Sequence, residues 1–221
     1  MVGMDGVQIS AWRLEGETLG EPATLLVHGW EDDNSLWTPL IEALQARGKA
    51  VVGFDLPGHG YSQGDTCTLE QSVQAIFAVA AACGPIDGVA THSFGGVALA
   101  GALLAGFDAH NVVLISPPTY QAGQYERSWR RYGICDELIA AALEHGHKDD
   151  IFFDFEKVAP TFKPNALFIH SLDDQQCPAE DARRAAAAWP RARFWPVDGL
   201  GHRALVKDDE VVSMAAGWLL G

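Results

Sequence analysis

A serine hydroxyl is a poor nucleophile at neutral pH and becomes a good one only where a base takes its proton and the chain presents it at an open turn. Ser93 meets the second demand. In VATHSFGG it follows an apolar run and precedes the small-residue stretch VALAGALLAG, the pattern of a tight strand-to-helix turn. Such a turn crowds its own backbone, so small residues are needed two places before and after the serine. Gly95 supplies the second, whereas Thr91 stands where the motif G-x-S-x-G has glycine. A serine at this place is ordinarily a helix cap, so the chemical reading needs partners. A neutral imidazole in GLGH, His202, could take the proton, and a carboxylate of FIHSLDD, Asp173 or Asp174, could accept the other ring N–H and stabilise the imidazolium.

The elements that would position these groups are short apolar runs alternating with Ala- and Leu-rich stretches, the pattern of βαβ units around a mostly parallel sheet. Predicted strands are Val7 to Leu14, 23–29, 50–56, 86–93, 111–117, 165–171 and 193–199, and their continuous apolar character implies helices on both faces. Predicted helices cover 36–47, 69–82 after Thr68, 95–106, 179–188 after Pro178, and 209–219. Residues 118–163 interrupt the rhythm and read as an insertion, with short helices in ERSWRRYG and DELIAAALEHG and an irregular aromatic stretch, FFDFEKVAPTF.

A chain of 221 residues, 48% hydrophobic and 20% charged, suits one α/β domain, 1–221, carrying that one insertion. Fifteen basic against 29 acidic residues, a net charge of −14, repel nucleic acid and anionic lipid, so neither is an expected partner. The opening residues lack a basic stretch followed by an apolar run, and the longest apolar stretch, about eleven residues at 97–107, is too short to span a bilayer. A cytoplasmic location is the expectation. The four cysteines, at 67, 83, 135 and 177, have no metal-finger spacing and read as reduced thiols. EHGHKDD (144–150) reads as a solvated loop ahead of a metal site; no metal and no cofactor are expected.

LLVHGW, FDLPGHGYS, HSFGG, FIHSLDDQQCP and GLGH, in this order from about residue 23 to the end, resemble the α/β-hydrolase superfamily. The resemblance implies the α/β-hydrolase fold with 118–163 as a short lid, and a chain order of nucleophile, acid and histidine that Ser93, Asp174 and His202 supply. Asp174 is preferred to Asp173 because relatives place the acid four residues before a helix-opening proline, here Pro178. The family pattern also points to the backbone N–H groups of Trp30 and Phe94 as oxyanion donors. Trp30 would wall the substrate pocket, and Trp129 and Tyr132 would anchor the lid over it. Glu31, Asp32 and Asp33 read as a helix-start acidic cluster, with a cation-recognising rim as the alternative. His28 and His59 read as loop braces, His92 as pointing away from substrate, and His110, His145, His147 and His170 match no catalytic position. The implied reaction is hydrolysis of a small carboxylic ester or thioester through an acyl-enzyme. An aminopeptidase-like amidase, using Glu126, Asp136, Glu137 or Glu144 to hold an amine, and a C–C bond hydrolase are alternatives on the same three residues. A non-catalytic binding protein on this fold is the third reading.

Overall fold

The structure, a computed structural model, describes residues 1–4, 6–148 and 153–221, the side chains of 147 and 148 excepted. Strands β1 (Val2–Met4) and β2 (Val7–Ile9) form an antiparallel ribbon. The main sheet holds β3 (Ala11–Leu14), β4 (Ala23–Val27), β5 (Val51–Phe54), β6 (Ile86–His92), β7 (Asn111–Ile115), β8 (Asn165–Ser171) and β9 (Ala192–Val197), in the order β3-β5-β4-β6-β7-β8-β9. Only the edge pair β3–β5 is antiparallel. Parallel neighbours require crossovers, and helices α1 (Thr38–Gln45), α2 (Leu69–Cys83), α3 (Phe94–Leu104), α4 (Gln121–Arg131), α5 (Asp136–Lys148), α6 (Phe155–Val158), α7 (Ala179–Ala188) and α8 (Asp209–Leu220) lie among these connections and at the end.

Successive strand residues point to opposite faces, which divides the core in two. Leu25, Val27, Val89, Val112 and Phe168 pack with α2, α3 and α7, while Leu26, Ala90, Val113, Leu167 and Ile169 pack with α1 and α8. The helix starts follow from local chemistry. Thr68 Oγ1 accepts from the Gln71 N–H (3.1 Å) and Gln71 Oε1 accepts from the Thr68 N–H (2.8 Å), a reciprocal cap that starts α2. Asp208 caps α8 through the N–H groups of Glu210 and Val211.

Two expectations are corrected. Val7 to Leu14 is not one strand: the chain leaves the β1–β2 ribbon at Ser10, whose N–H donates to Ser62 Oγ (2.8 Å) and whose carbonyl accepts from the Asp55 N–H (2.9 Å), and joins the main sheet one residue later. Residues 153–162 are not an irregular stretch. The Phe155 N–H donates to the Thr119 carbonyl (3.0 Å), the Gln121 N–H to the Phe153 carbonyl (3.2 Å), and Tyr120 bridges Asp154, so both ends of the insertion meet in a short antiparallel neck. Beyond the neck, Phe155 and Phe162 enter the α2–α3–α7 core, where Phe162 packs on Trp189 with ring centroids 4.7 Å apart.

The insertion therefore divides, with α6 and its flanks belonging to the core. Phe155→Ala should lower unfolding free energy by about 3 to 5 kcal/mol in urea titration, the cost of emptying a buried aromatic site. A loss below about 1 kcal/mol would mean that the segment rests on the core without helping to build it.

Candidate active site

Ser93 stands between β6 and α3 with φ 49° and ψ −123°, a positive φ that is rare for a residue with a Cβ. Neighbours are small where the turn comes close. A Cβ on Gly95 would lie 2.3 Å from the Val27 carbonyl oxygen, and one on Gly29 would lie 2.9 Å from Ser93 Cβ. The larger Thr91 fits because the turn makes room elsewhere. Its Oγ1 donates to the Val113 carbonyl (3.2 Å), and it faces Gly96, whose added Cβ would come within 2.9 Å of Pro117 and 3.5 Å of that hydroxyl.

Ser93, at the turn from β6 into α3, meets His202 and Asp174, which come from the loops after β9 and β8. His202 Nε2 lies 3.0 Å from Ser93 Oγ, and Nδ1 lies 2.7 Å from Asp174 Oδ2. A carboxylate only accepts, so Nδ1 carries the proton and Nε2 faces the serine hydroxyl as acceptor. Asp174 Oδ1 accepts from the N–H groups of Gln176 (2.8 Å) and Cys177 (2.9 Å). His170, wholly buried, points Nε2 at Asp174 Oδ2 (3.2 Å) and the Cys177 carbonyl (2.8 Å). Burial alone would raise the Asp174 pKa, but hydrogen bonds from His170, His202 and the Cys177 amide outweigh it and hold the carboxyl well below the usual range. Asp173 has different work: its Oδ1 accepts from the Gly201 N–H (3.0 Å) and the Ser171 hydroxyl, tying the β8 loop to the loop that carries His202.

The opposite wall is the β4 loop. The Leu56 N–H donates to His28 Nε2 (2.9 Å), so Nδ1 carries the proton and donates to the Gly29 carbonyl (2.7 Å). Burial lowers the His28 pKa and keeps the ring neutral for both bonds. In a trans peptide the carbonyl and the following N–H point opposite ways, so a fixed Gly29 carbonyl fixes the direction of the Trp30 N–H. The Phe94 N–H, at the first position of α3, has no intrahelical acceptor. The Trp30 and Phe94 rings meet edge to face, centroids 5.6 Å apart. Of the acidic residues that follow, Asp33 accepts from the Ser35 N–H, Asp32 pairs with Arg203 (2.9 Å), and Glu31 stays exposed on the cavity wall.

These groups open on a cavity of about 820 Å³. Tyr132, expected at the substrate, lines it, and so does Trp30. Trp129 does not: Tyr125 lines the cavity and Trp129 stacks on it (5.6 Å), on a helix that begins five residues before the predicted ERSWRRYG. Sequence reasoning also missed His170, Gln121, Gln124, Gln176 and Arg203, whose partners are far along the chain or have no motif. The EHGHKDD cluster lies largely outside the described residues, as the side chains of 147–150 are not described. The four cysteines are free. Among the described residues no helix is long and apolar enough to cross a membrane.

A profile of the alpha/beta hydrolase family matches residues 24–167. Over 238 residues the chain is 25% identical to a pimeloyl-[acyl-carrier protein] methyl ester esterase of Xanthomonas campestris pv. campestris, covering 88% of this chain and 93% of that protein. A protein of the same name from Xylella fastidiosa is 39% identical over 64 residues, 29% of this chain and 24% of that one. The solved structure of a Pyrococcus furiosus esterase superposes with a TM-score of 0.78 at 18% identity, covering 100% of this chain and 89% of that one.

One pH dependence follows from the site's framework. His92, almost wholly buried, has Nε2 3.0 Å from the His202 carbonyl and donates to it, while Nδ1 has no hydrogen-bond partner. Burial pushes its pKa down to about 4, against about 6.5 in the unfolded chain. The unfolded state thus binds the extra proton first. Stability from this group is complete above about pH 6.5 and falls towards pH 4 by about 3 kcal/mol. Urea titrations between pH 7.5 and 4.5 should show a shallower acid loss in His92→Gln, which retains a donor for the His202 carbonyl. Equal slopes in variant and parent would assign the loss to other groups.

Proposed function

The chain belongs to the alpha/beta hydrolase family and is a hydrolase of the esterase type; from that premise we propose that it cleaves a small carboxylic ester or thioester through an acyl-enzyme on Ser93. The observation that carries this reading is the unbroken line from Ser93 Oγ through His202 to Asp174, at 3.0 and 2.7 Å.

In the first half-reaction His202 Nε2 takes the Ser93 proton while Oγ bonds to the carbonyl carbon. The carbonyl oxygen becomes an oxyanion and accepts from the Trp30 and Phe94 N–H groups, whose directions are set before substrate arrives. Asp174 holds Nδ1–H and stabilises the imidazolium. On collapse the bond to the leaving oxygen or sulfur breaks, and His202 returns the proton to that atom. Water then repeats the sequence: His202 takes its proton, the hydroxide adds to the acyl carbon, and Ser93 leaves with the proton from His202.

Esters come ahead of amides for a specific reason. The amidase reading needs insertion carboxylates free to hold an amine, yet Glu126 and Asp136 both pair with Arg130, and Glu137 and Glu144 do not line the cavity. The name of the Xanthomonas relative, a methyl ester esterase, agrees with that order. Gln121, Gln124, Tyr125 and Ser128 of α4 on the cavity wall support reading this part of 118–163 as a small lid that shapes substrate choice.

Ser93→Ala and His202→Ala should each lower ester hydrolysis by several orders of magnitude without adding in the double variant, and Ser93→Ala should abolish labelling by a fluorophosphonate. An intact fold that the probe does not label would favour a binding protein. Asp174→Asn should cut turnover by roughly a thousandfold or more, because an amide there favours the wrong imidazole tautomer. Asp173→Asn should cost less than about tenfold, since the asparagine oxygen still accepts from the Gly201 N–H. Reversed effects would make Asp173 the orienting carboxylate.

A further inference from the structure

Gln121 stands at the first turn of α4, on the cavity wall, with 8% of its surface exposed. Its side-chain amide has a fixed sense. The Phe153 N–H points at it from 2.8 Å and can be satisfied only by an acceptor, so Oε1 faces Phe153 and the NH₂ group faces the other way. That NH₂ has no acceptor among the described residues, nor is it sealed in the interior as the orphaned Trp37, His92 and His170 nitrogens are. What remains open of Gln121 is therefore a donor, held by the neck of the insertion on a residue that lines the same cavity as Ser93.

Solvent accepts from such a donor while the cavity is open, and a substrate that displaces the solvent without offering an acceptor leaves the donor unpaired at a cost in free energy. The charges on the same wall decide which acceptor fits. Arg203 is the only guanidinium or ammonium lining the cavity among the described residues, and it is paired with Asp32, while Glu31 adds a further carboxylate. An anionic acceptor would meet more acid than base. Gln124 and Gln176 extend the amide-rich character of the lining, which a plain alkyl chain cannot satisfy.

We propose that Gln121 is a specificity-determining residue that selects esters carrying a neutral oxygen acceptor, an ether, hydroxyl or ketone, on the part of the substrate lying against α4. This rests on the esterase reading of the Ser93 site and narrows its substrate class. An ester whose acyl and alcohol parts are both hydrocarbon leaves the Gln121 donor unsatisfied and is discriminated against.

Ester pairs that differ by one oxygen test it. On the acyl side these are p-nitrophenyl 3-methoxypropanoate against pentanoate, and 4-oxopentanoate against 4-methylpentanoate; on the alcohol side, 2-methoxyethyl acetate against butyl acetate. The informative variant is Gln121→Glu, which keeps an oxygen for the Phe153 N–H and exchanges the donor for an acceptor. The ratio of kcat/KM within a pair cancels any common effect on catalysis, and in at least one series it should shift about fivefold or more towards the hydrocarbon member, the worth of one neutral hydrogen bond. The same pairs bound to Ser93→Ala protein, with and without Gln121→Glu, should give the same shift in Kd ratio by calorimetry. If Gln121→Glu does not fold, Gln121→Met removes the donor at equal length and is read the same way. Unchanged kcat/KM ratios in every series overturn the proposal, as do unchanged Kd ratios where binding is measured. Turnover that survives such a result leaves the esterase reading standing, whereas a parent protein that turns over no ester of any pair sinks that reading and this proposal with it.

Discussion

Ser93 holds a backbone conformation that costs on the order of 1 to 3 kcal/mol for a residue with a side chain, and much of the surrounding structure serves to keep it there. Its N–H donates to the Ile115 carbonyl and its carbonyl accepts from the Gly96 N–H, both at 2.9 Å, so the turn is pinned from the neighbouring strand and from its own helix. Gly29 and Gly95 permit the approach of two backbones that any Cβ would block. The helix beyond is buried along nearly its whole length and cannot shift to relieve the strain. The hydroxyl is thereby presented on rigid elements while its partners arrive on loops.

Those loops are held by polar ties as well as by the packing of Leu200, Leu205 and Val206. His92 bonds the His202 carbonyl from β6, Asp173 bonds Gly201 from the β8 loop, and the Arg203–Asp32 pair joins the His202 loop to the Trp30 loop. Such ties set distance and direction at once, which an imidazole needs if it is to face a hydroxyl with one nitrogen and a carboxylate with the other. The carboxylate of Asp174 is buried and remains charged because both its oxygens accept hydrogen bonds. His28 performs the parallel task on the opposite wall, where it orients a backbone amide in place of a ring.

Much of this was legible in the sequence, and the parts that were not share a physical cause. Asn165–Ser171 and Ala179–Ala188 form at the predicted residues because continuous apolar character and the Pro178 start are local signals. The bend at Ser10 is invisible to a period-two pattern, since it depends on bonds to Ser62 and Asp55. Ser93, Asp174 and His202 carried motif-level signals and meet in space. Gln121 carried none: its orientation comes from an amide 32 residues away across the neck. The exchange of Trp129 for Tyr125 at the cavity has the same root, because which face of a helix meets a cavity is set by tertiary packing that a local pattern does not record.

On the proposed mechanism Ser93 carries the acyl group between the two half-reactions. Mixing the protein with an excess of an activated ester, quenching in acid within the first turnovers and mapping the peptides by mass spectrometry tests it directly. An adduct of the acyl mass is expected on the peptide containing Ser93, formed with a stoichiometric burst of the alcohol and absent from Ser93→Ala. Steady hydrolysis with neither burst nor adduct, or an adduct on another residue such as Cys67, would contradict it.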